Sequence, residues 1–148
     1  MTPSTLLIAL VALGCSSSGT TTPLAYDNVA GNYTVPISST SGTPLSASLS
    51  FTVVQNGGAL SGTEAVSGFL NGNLPISGSG TFTGTIGSGV NPSVNITVTG
   101  SACQSVHETF SGSNDSANQR MTVVGPFYIL NVDCSIALTY TLTLVLTH

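Results

Sequence analysis

Two stretches of this sequence alternate apolar and hydroxyl residues without a slip. In LSASLSFTV, Leu45, Ala47, Leu49, Phe51 and Val53 fall on one side, with Ser46, Ser48, Ser50 and Thr52 on the other. In IALTYTLTLVL, Ile136, Leu138, Tyr140, Leu142, Leu144 and Leu146 share a side, and Thr139, Thr141 and Thr143 line the opposite one. A period of two places successive side chains on opposite faces, so each stretch is a strand with one buried and one wet face. No segment after Thr22 offers a comparable helical period. The fold class is therefore all-β.

Turn signals divide the rest. Asn56-Gly57-Gly58 follows the first alternating run and is a strong hairpin cue, because Asn and Gly accept positive φ cheaply. Asn71-Gly72-Asn73, Gly87-Ser88-Gly89, 113–118 and Gly125-Pro126 mark further breaks. These limits predict strands near 31–37, 45–55, 59–67, 78–86, 93–100, 105–112, 119–124 and 135–147. Residues 127–132, FYILNV, form either another strand or a continuation of the one before.

Leu60-Ser61-Gly62-Thr63, Phe82-Thr83-Gly84-Thr85 and Phe110-Ser111-Gly112-Ser113 share a pattern at unequal spacings, which is not a solenoid repeat. A glycine inside a strand permits the sharp bending that a barrel wall needs. Consecutive short strands joined by short turns predict a single antiparallel meander of about eight strands closing into a barrel, with a β-sandwich as the alternative. Closure would remove the exposed edges that a sheet without lysine is poorly equipped to protect.

Charged residues make up 4 % of the chain, against roughly 25 % in ordinary soluble proteins. Arg120 is the one Lys or Arg, so binding nucleic acid by phosphate neutralisation is excluded as a function class. An electrostatic hold on anionic headgroups fails for the same reason. Asp27, Glu64, Glu108, Asp115 and Asp133 are scattered along the chain. Solubility rests on Ser, Thr and Asn, while 41 % hydrophobic content with clear periodicity argues for a packed fold. An outer-membrane barrel is disfavoured by sparse aromatics and by a Thr147-His148 ending where such barrels usually end in an aromatic.

Gly31-Asn32-Tyr33, followed by FTVVQNGGALSGT over Phe51–Thr63, resembles the opening of calycin-type barrels, the lipocalin and avidin group. There a G-x-W strand leads into a hairpin of this shape; here Tyr33 stands in the tryptophan position and the chain contains no Trp. The resemblance covers roughly a quarter of the chain. It implies an eight-stranded cup that admits a small apolar ligand, and it carries over no avidin-like biotin site.

The short apolar run Leu6–Gly14 is about half of what a spanning helix requires and fits the hydrophobic centre of a secretory signal. Ala12-Leu13-Gly14-Cys15 resembles the lipobox of bacterial lipoproteins, whose cysteine is acylated after cleavage. The order of Ala12 and Leu13 departs from the family's preference, and the opening Met1-Thr2-Pro3-Ser4 lacks a Lys or Arg. The resemblance implies a signal peptide over 1–14, lipid attachment at Cys15, a Ser/Thr/Gly tether over 15–24 and one barrel-like domain over 25–148. The membrane is then a partner through the N-terminal lipid anchor, and the location is the bacterial cell envelope at the outer membrane or cell surface. Ordinary secretion is the alternative. The sequons at Asn32, Asn95 and Asn114 are chance products of a Ser/Thr/Asn-rich chain.

With Cys15 acylated, Cys103 and Cys134 remain as an even pair in an oxidising compartment, which predicts a disulfide. On the chain-entropy model, closing a loop of about 30 residues contributes ~3–4 kcal/mol. Their spacing is not that of a zinc site, and no metal or cofactor is expected.

Catalytic chemistry finds little footing. His107 and Glu108 are neighbours on a strand and point to opposite faces. Parity with Val106 and Phe110 puts Glu108 on the core side, which is costly for a lone carboxylate unless a bulge turns it outward or it lies at a barrel mouth. Glu64 and Glu108 are the only glutamates, and nothing in the sequence pairs them for glycoside hydrolysis. The Gly-Ser-Gly stretches lack both the strand-to-helix setting of a serine nucleophile and the lysine of a phosphate loop. No catalytic residue is expected. Tyr33, Phe51, Phe82, Phe110 and Tyr140 are the candidates to line a ligand pocket. The expected function is a non-catalytic envelope lipoprotein holding a small apolar ligand; the alternative is a structural or adhesion module with a filled core.

Overall fold

The computed structural model describes residues 25–40 and 42–147. The signal segment, Cys15 and the tether expected from the sequence lie outside the described residues. The eight strands are β1 (Gly31–Ser39), β2 (Leu45–Asn56), β3 (Ala59–Leu70), β4 (Leu74–Ile86), β5 (Ser93–Gly100), β6 (His107–Asp115), β7 (Arg120–Leu130) and β8 (Ile136–Thr147). Each pairs antiparallel with the next in one sheet, in the order β1 to β8. β8 comes back against β1, so the meander curls into a nearly closed barrel.

The alternation read from the sequence decides which face turns inward. Leu49, Phe51 and Val53 of β2 and Leu142, Leu144 and Leu146 of β8 are buried, while Ser50, Thr52, Thr141 and Thr143 are exposed. The interior is apolar and the outer wall is hydroxylated, the reverse of the polarity of a membrane-spanning barrel.

The repeated glycines have a steric reason. A Cβ on Gly62 would overlap the Thr52 carbonyl, one on Gly84 the Asn95 carbonyl, and one on Gly112 the Thr122 carbonyl. At each point the wall bends hard enough that two strands approach as only glycine allows. The Gly57-Gly58 turn of the β2–β3 hairpin has Gly57 at φ +57°, as the Asn-Gly cue required.

Three sequence expectations shift. β3 and β4 run on to Leu70 and back from Leu74, well past the limits near 67 and 78. Their shared ladder continues to Leu70↔Leu74, closed by the turn at Asn71 and Gly72, both at positive φ. β6 begins at His107 instead of near 105. Gly125-Pro126 does not break β7, which pairs with β8 through Gly125↔Leu142 and Pro126↔Thr141. The printed register with β6 covers Ser111↔Val124 to Asp115↔Arg120, so Pro126 stands beyond it and its missing N–H leaves no gap in that ladder.

The two ends of the barrel differ. At the end where β1 begins, the chain crosses beneath the sheet as a plug. Val29 is fully buried, its amide donates to Gln55 Oε1 at 2.8 Å, and Gln55 Nε2 donates to the carbonyls of Asp27 (2.7 Å) and Gly57 (2.9 Å). Asn114, also fully buried, donates from Nδ2 to Asp27 Oδ2 at 2.7 Å, and Ser116 donates to the same oxygen. Tyr33 closes this network by donating its hydroxyl to the Val29 carbonyl at 2.7 Å. The opposite end carries the loops 101–106 and 131–135, and the Cys103–Cys134 disulfide joins them with a Cα–Cα distance of 5.5 Å.

Candidate functional site

Two features of the strand pairing open the disulfide end. β4 and β5 pair from Gly80↔Gly100 to Ile86↔Val94, so 74–79 project beyond the end of β5. Past Val124, toward the mouth, β7 continues on its β8 ladder and a bulge falls at Ile129/Leu130. Between these diverging segments lies a cavity of about 770 Å³, within the size range of sites that hold drug-sized molecules. Val66, Ile76, Val98, Val106, Phe127 and Ile129 give it an apolar wall, and Cys103 sits at its rim.

Glu64 and Glu108 are the charged residues of the lining. The sequence offers no reason to pair them, since β4 and β5 intervene. The barrel's curvature brings both inward-facing positions to one space. Gly80, across from Glu64 in the β3–β4 register, makes this possible: a Cβ there would lie 3.0 Å from Glu64 Oε1. Burial pushes the Glu64 carboxyl above its ordinary range. Burial pushes Glu108 further, to about 7; the amide of Tyr128 pulls the other way and the nearby charge of Glu64 adds to the rise. Tyr128 N–H donates to Glu108 Oε1 at 2.7 Å, so the side chain of β6 bridges to the backbone of β7 where the two strands part. Glu108 therefore points inward at the mouth, one of the two placements open to it from the sequence.

His107 lies on the other face of β6, exposed, with Nδ1 at 2.9 Å from the Thr99 hydroxyl. It shares no cleft with either glutamate. Among the described residues no group of three or more His, Cys, Asp or Glu converges on a point.

None of the five aromatic candidates lines the cavity. Phe51, Phe82 and Phe110 surround a residual void of about 10 Å³ in the packed half, with Phe51 and Phe82 edge to face at 6.2 Å. Tyr33 belongs to the plug. Tyr140 donates to the Thr43 carbonyl at 2.8 Å and tilts against Phe127, with ring centroids at 6.5 Å. Of this cluster, Phe127 reaches the cavity wall.

The cavity's charged pair was partly legible: Glu64 has the same parity as Leu60 and Val66, and Glu108 the same as Phe110. Within the aliphatic wall, Val66 and Val106 share that parity, but the rest carried a weaker signal. Ile76 and Leu130 fall outside the cleanly alternating stretches.

The exterior of the rim carries three large apolar side chains. Phe69, Leu74 and Val132 are exposed around the mouth, the last completely. No family model, no curated protein and no solved structure matches this chain.

Proposed function

We propose that this protein is a lipid-anchored envelope protein whose barrel holds a small, mainly apolar molecule without transforming it. The observation that carries the reading is the cavity of about 770 Å³ at one end of an otherwise filled barrel. Its apolar walls supply binding energy on the order of 25 cal/mol for each Å² of ligand surface taken from water. The exposed Phe69, Leu74 and Val132 offer an apolar ligand contact surface at the mouth. A non-catalytic role is favoured because His107 stands on the outer face, hydrogen-bonded to Thr99 and away from both carboxyls.

The anchor rests on the likeness of Ala12-Leu13-Gly14-Cys15 to a lipobox. The Cys103–Cys134 bond supports an oxidising compartment. The described chain enters the barrel at the plugged end, so a tether from Cys15 would leave the mouth unobstructed. Native mass spectrometry of protein taken from its own membrane tests both halves. The expected result is a mature chain beginning at an acylated Cys15 and carrying a retained small molecule. An unmodified Cys15 removes the anchor. An interior that takes up no hydrophobic probe removes the carrier and leaves the structural or adhesion role.

A further inference from the structure

Within the carrier reading, on which this inference rests, the cavity's chemistry narrows the ligand. The lining joins aliphatic walls to two carboxyls and contains no basic side chain. The chain's single Arg or Lys, Arg120, lies at the plugged end, opposite Asp115 in the β6–β7 register. Asp133, in the loop that carries Cys134, adds a further negative group at the mouth end. The charge of the open end is therefore all of one sign. A fatty carboxylate would meet like charge there; a neutral hydrocarbon would bring no donor to two partly desolvated carboxyls.

We propose that the cavity selects molecules that join an apolar body to a protonated amine, the ammonium being held by Glu64 and Glu108. Glu108 is already oriented by the Tyr128 amide on Oε1, so little side-chain freedom is lost when it takes a second donor. Gly80 leaves the space in which the Glu64 carboxyl lies. An ammonium placed here exchanges the repulsion between two carboxylates for charge-assisted hydrogen bonds in a partly desolvated space.

Binding should then release a proton as pH falls toward the acidic side. Glu108 is faced from several elements. β3 brings Glu64; β4 brings Ile76 and Gly78; β5 brings Val98; loop 101–106 brings Val106 and the bonded Cys103. β7 brings Phe127, Ile129 and the Tyr128 amide; Tyr140 of β8 packs against Phe127 with its hydroxyl committed to Thr43. Glu64 is thus the one ionisable neighbour that opposes its charge. Because the empty site holds a proton on Glu108 below about 7, amine affinity weakens as pH drops through that value.

The test is calorimetric titration of the full chain with octylamine, octanol and octanoate, which share a tail and differ in head group. At pH 8 octylamine should bind at least about tenfold tighter than octanol, with octanoate weakest, as expected for hydrogen bonds to charged groups. At pH 5.5 the amine's advantage should shrink to about threefold or less, with proton release seen in buffers of different ionisation heat. Glu108→Gln and Glu64→Gln should each reduce the amine-to-alcohol ratio at pH 8 by roughly tenfold while the near-ultraviolet dichroism keeps its native form. Equal affinity for amine and alcohol at pH 8, or a ratio that neither folded variant changes, overturns the amine assignment and leaves the carrier standing. Absence of binding by all three probes overturns the carrier and the amine assignment together.

Discussion

The two ends of this barrel are built from the same strands yet solve opposite problems. At the plugged end, interlocking aromatics and the buried Val29, Met121 and Asn114 fill the interior, and each buried side-chain polar atom has a partner. At the mouth, the same ladders separate, an amide of β7 is satisfied by a side chain of β6, and two loops are held by a covalent bond. The difference shows how a small barrel divides labour along its axis. Packing density at one end supports an opening at the other, and the disulfide replaces the core that the open end lacks.

That contrast makes unequal demands on mutation. Phe110→Ala, in the packed half, should cost ~3–5 kcal/mol by urea unfolding, since it removes a large buried ring whose site cannot collapse. A cost below about 1 kcal/mol would mean that this end is not the packed one. Replacing Cys103 and Cys134 together by Ser should cost ~3–4 kcal/mol. It should also raise amide exchange in 101–106 and 131–135 before it does so in β1 and β2; uniform exchange across the barrel would contradict a local role for the bond.

The carboxyl at the mouth gives a pH signature that the plugged end does not share. Glu108 binds its proton more tightly folded, at about 7, than in an unfolded chain near 4.5. Its contribution is fully present below about 4.5 and is lost as pH rises through 7, so the ligand-free protein should lose about 2 kcal/mol between those limits, allowing for partial contact with water. Glu108→Gln should flatten most of this slope, leaving the smaller trend of Glu64 in the same direction. Urea midpoints at pH 5 and pH 8 for both proteins measure it, and a stability that rises with pH in the parent would refute the placement of Glu108. Smallest of all, Ile76→Ala on the cavity wall should cost about 1 kcal/mol or less, because its side chain is only partly buried and faces open space.

Much of this architecture is readable from residue order. Strict alternation in β2 and β8 gives their inward faces, Asn56-Gly57-Gly58 gives the first hairpin, and the three recurring strand glycines mark the bends. The pairing of Cys103 with Cys134 is the expectation once Cys15 is set aside as a lipid-attachment site, and the structure forms that bond. Gly125-Pro126 misleads, because both residues usually interrupt strands. They fit here since β7 has its β8 ladder at that point and lies beyond its paired stretch with β6. The aromatic residues are ambiguous in another way. Size and apolarity suit them equally to lining a pocket and to filling one, and sequence contains no measure of the space between them.

Local chemistry therefore determined the strands, their faces, the turns and the sulfur bridge, since each depends on neighbours within a few residues or on a count. Tertiary structure alone decided which end of the barrel is filled and which is open. That outcome depends on where β4 outruns β5 and where β6 and β7 part, and on the curvature that carries Glu64 and Glu108 across two intervening strands into one cavity. Those are properties of the closed sheet, and no single strand contains them.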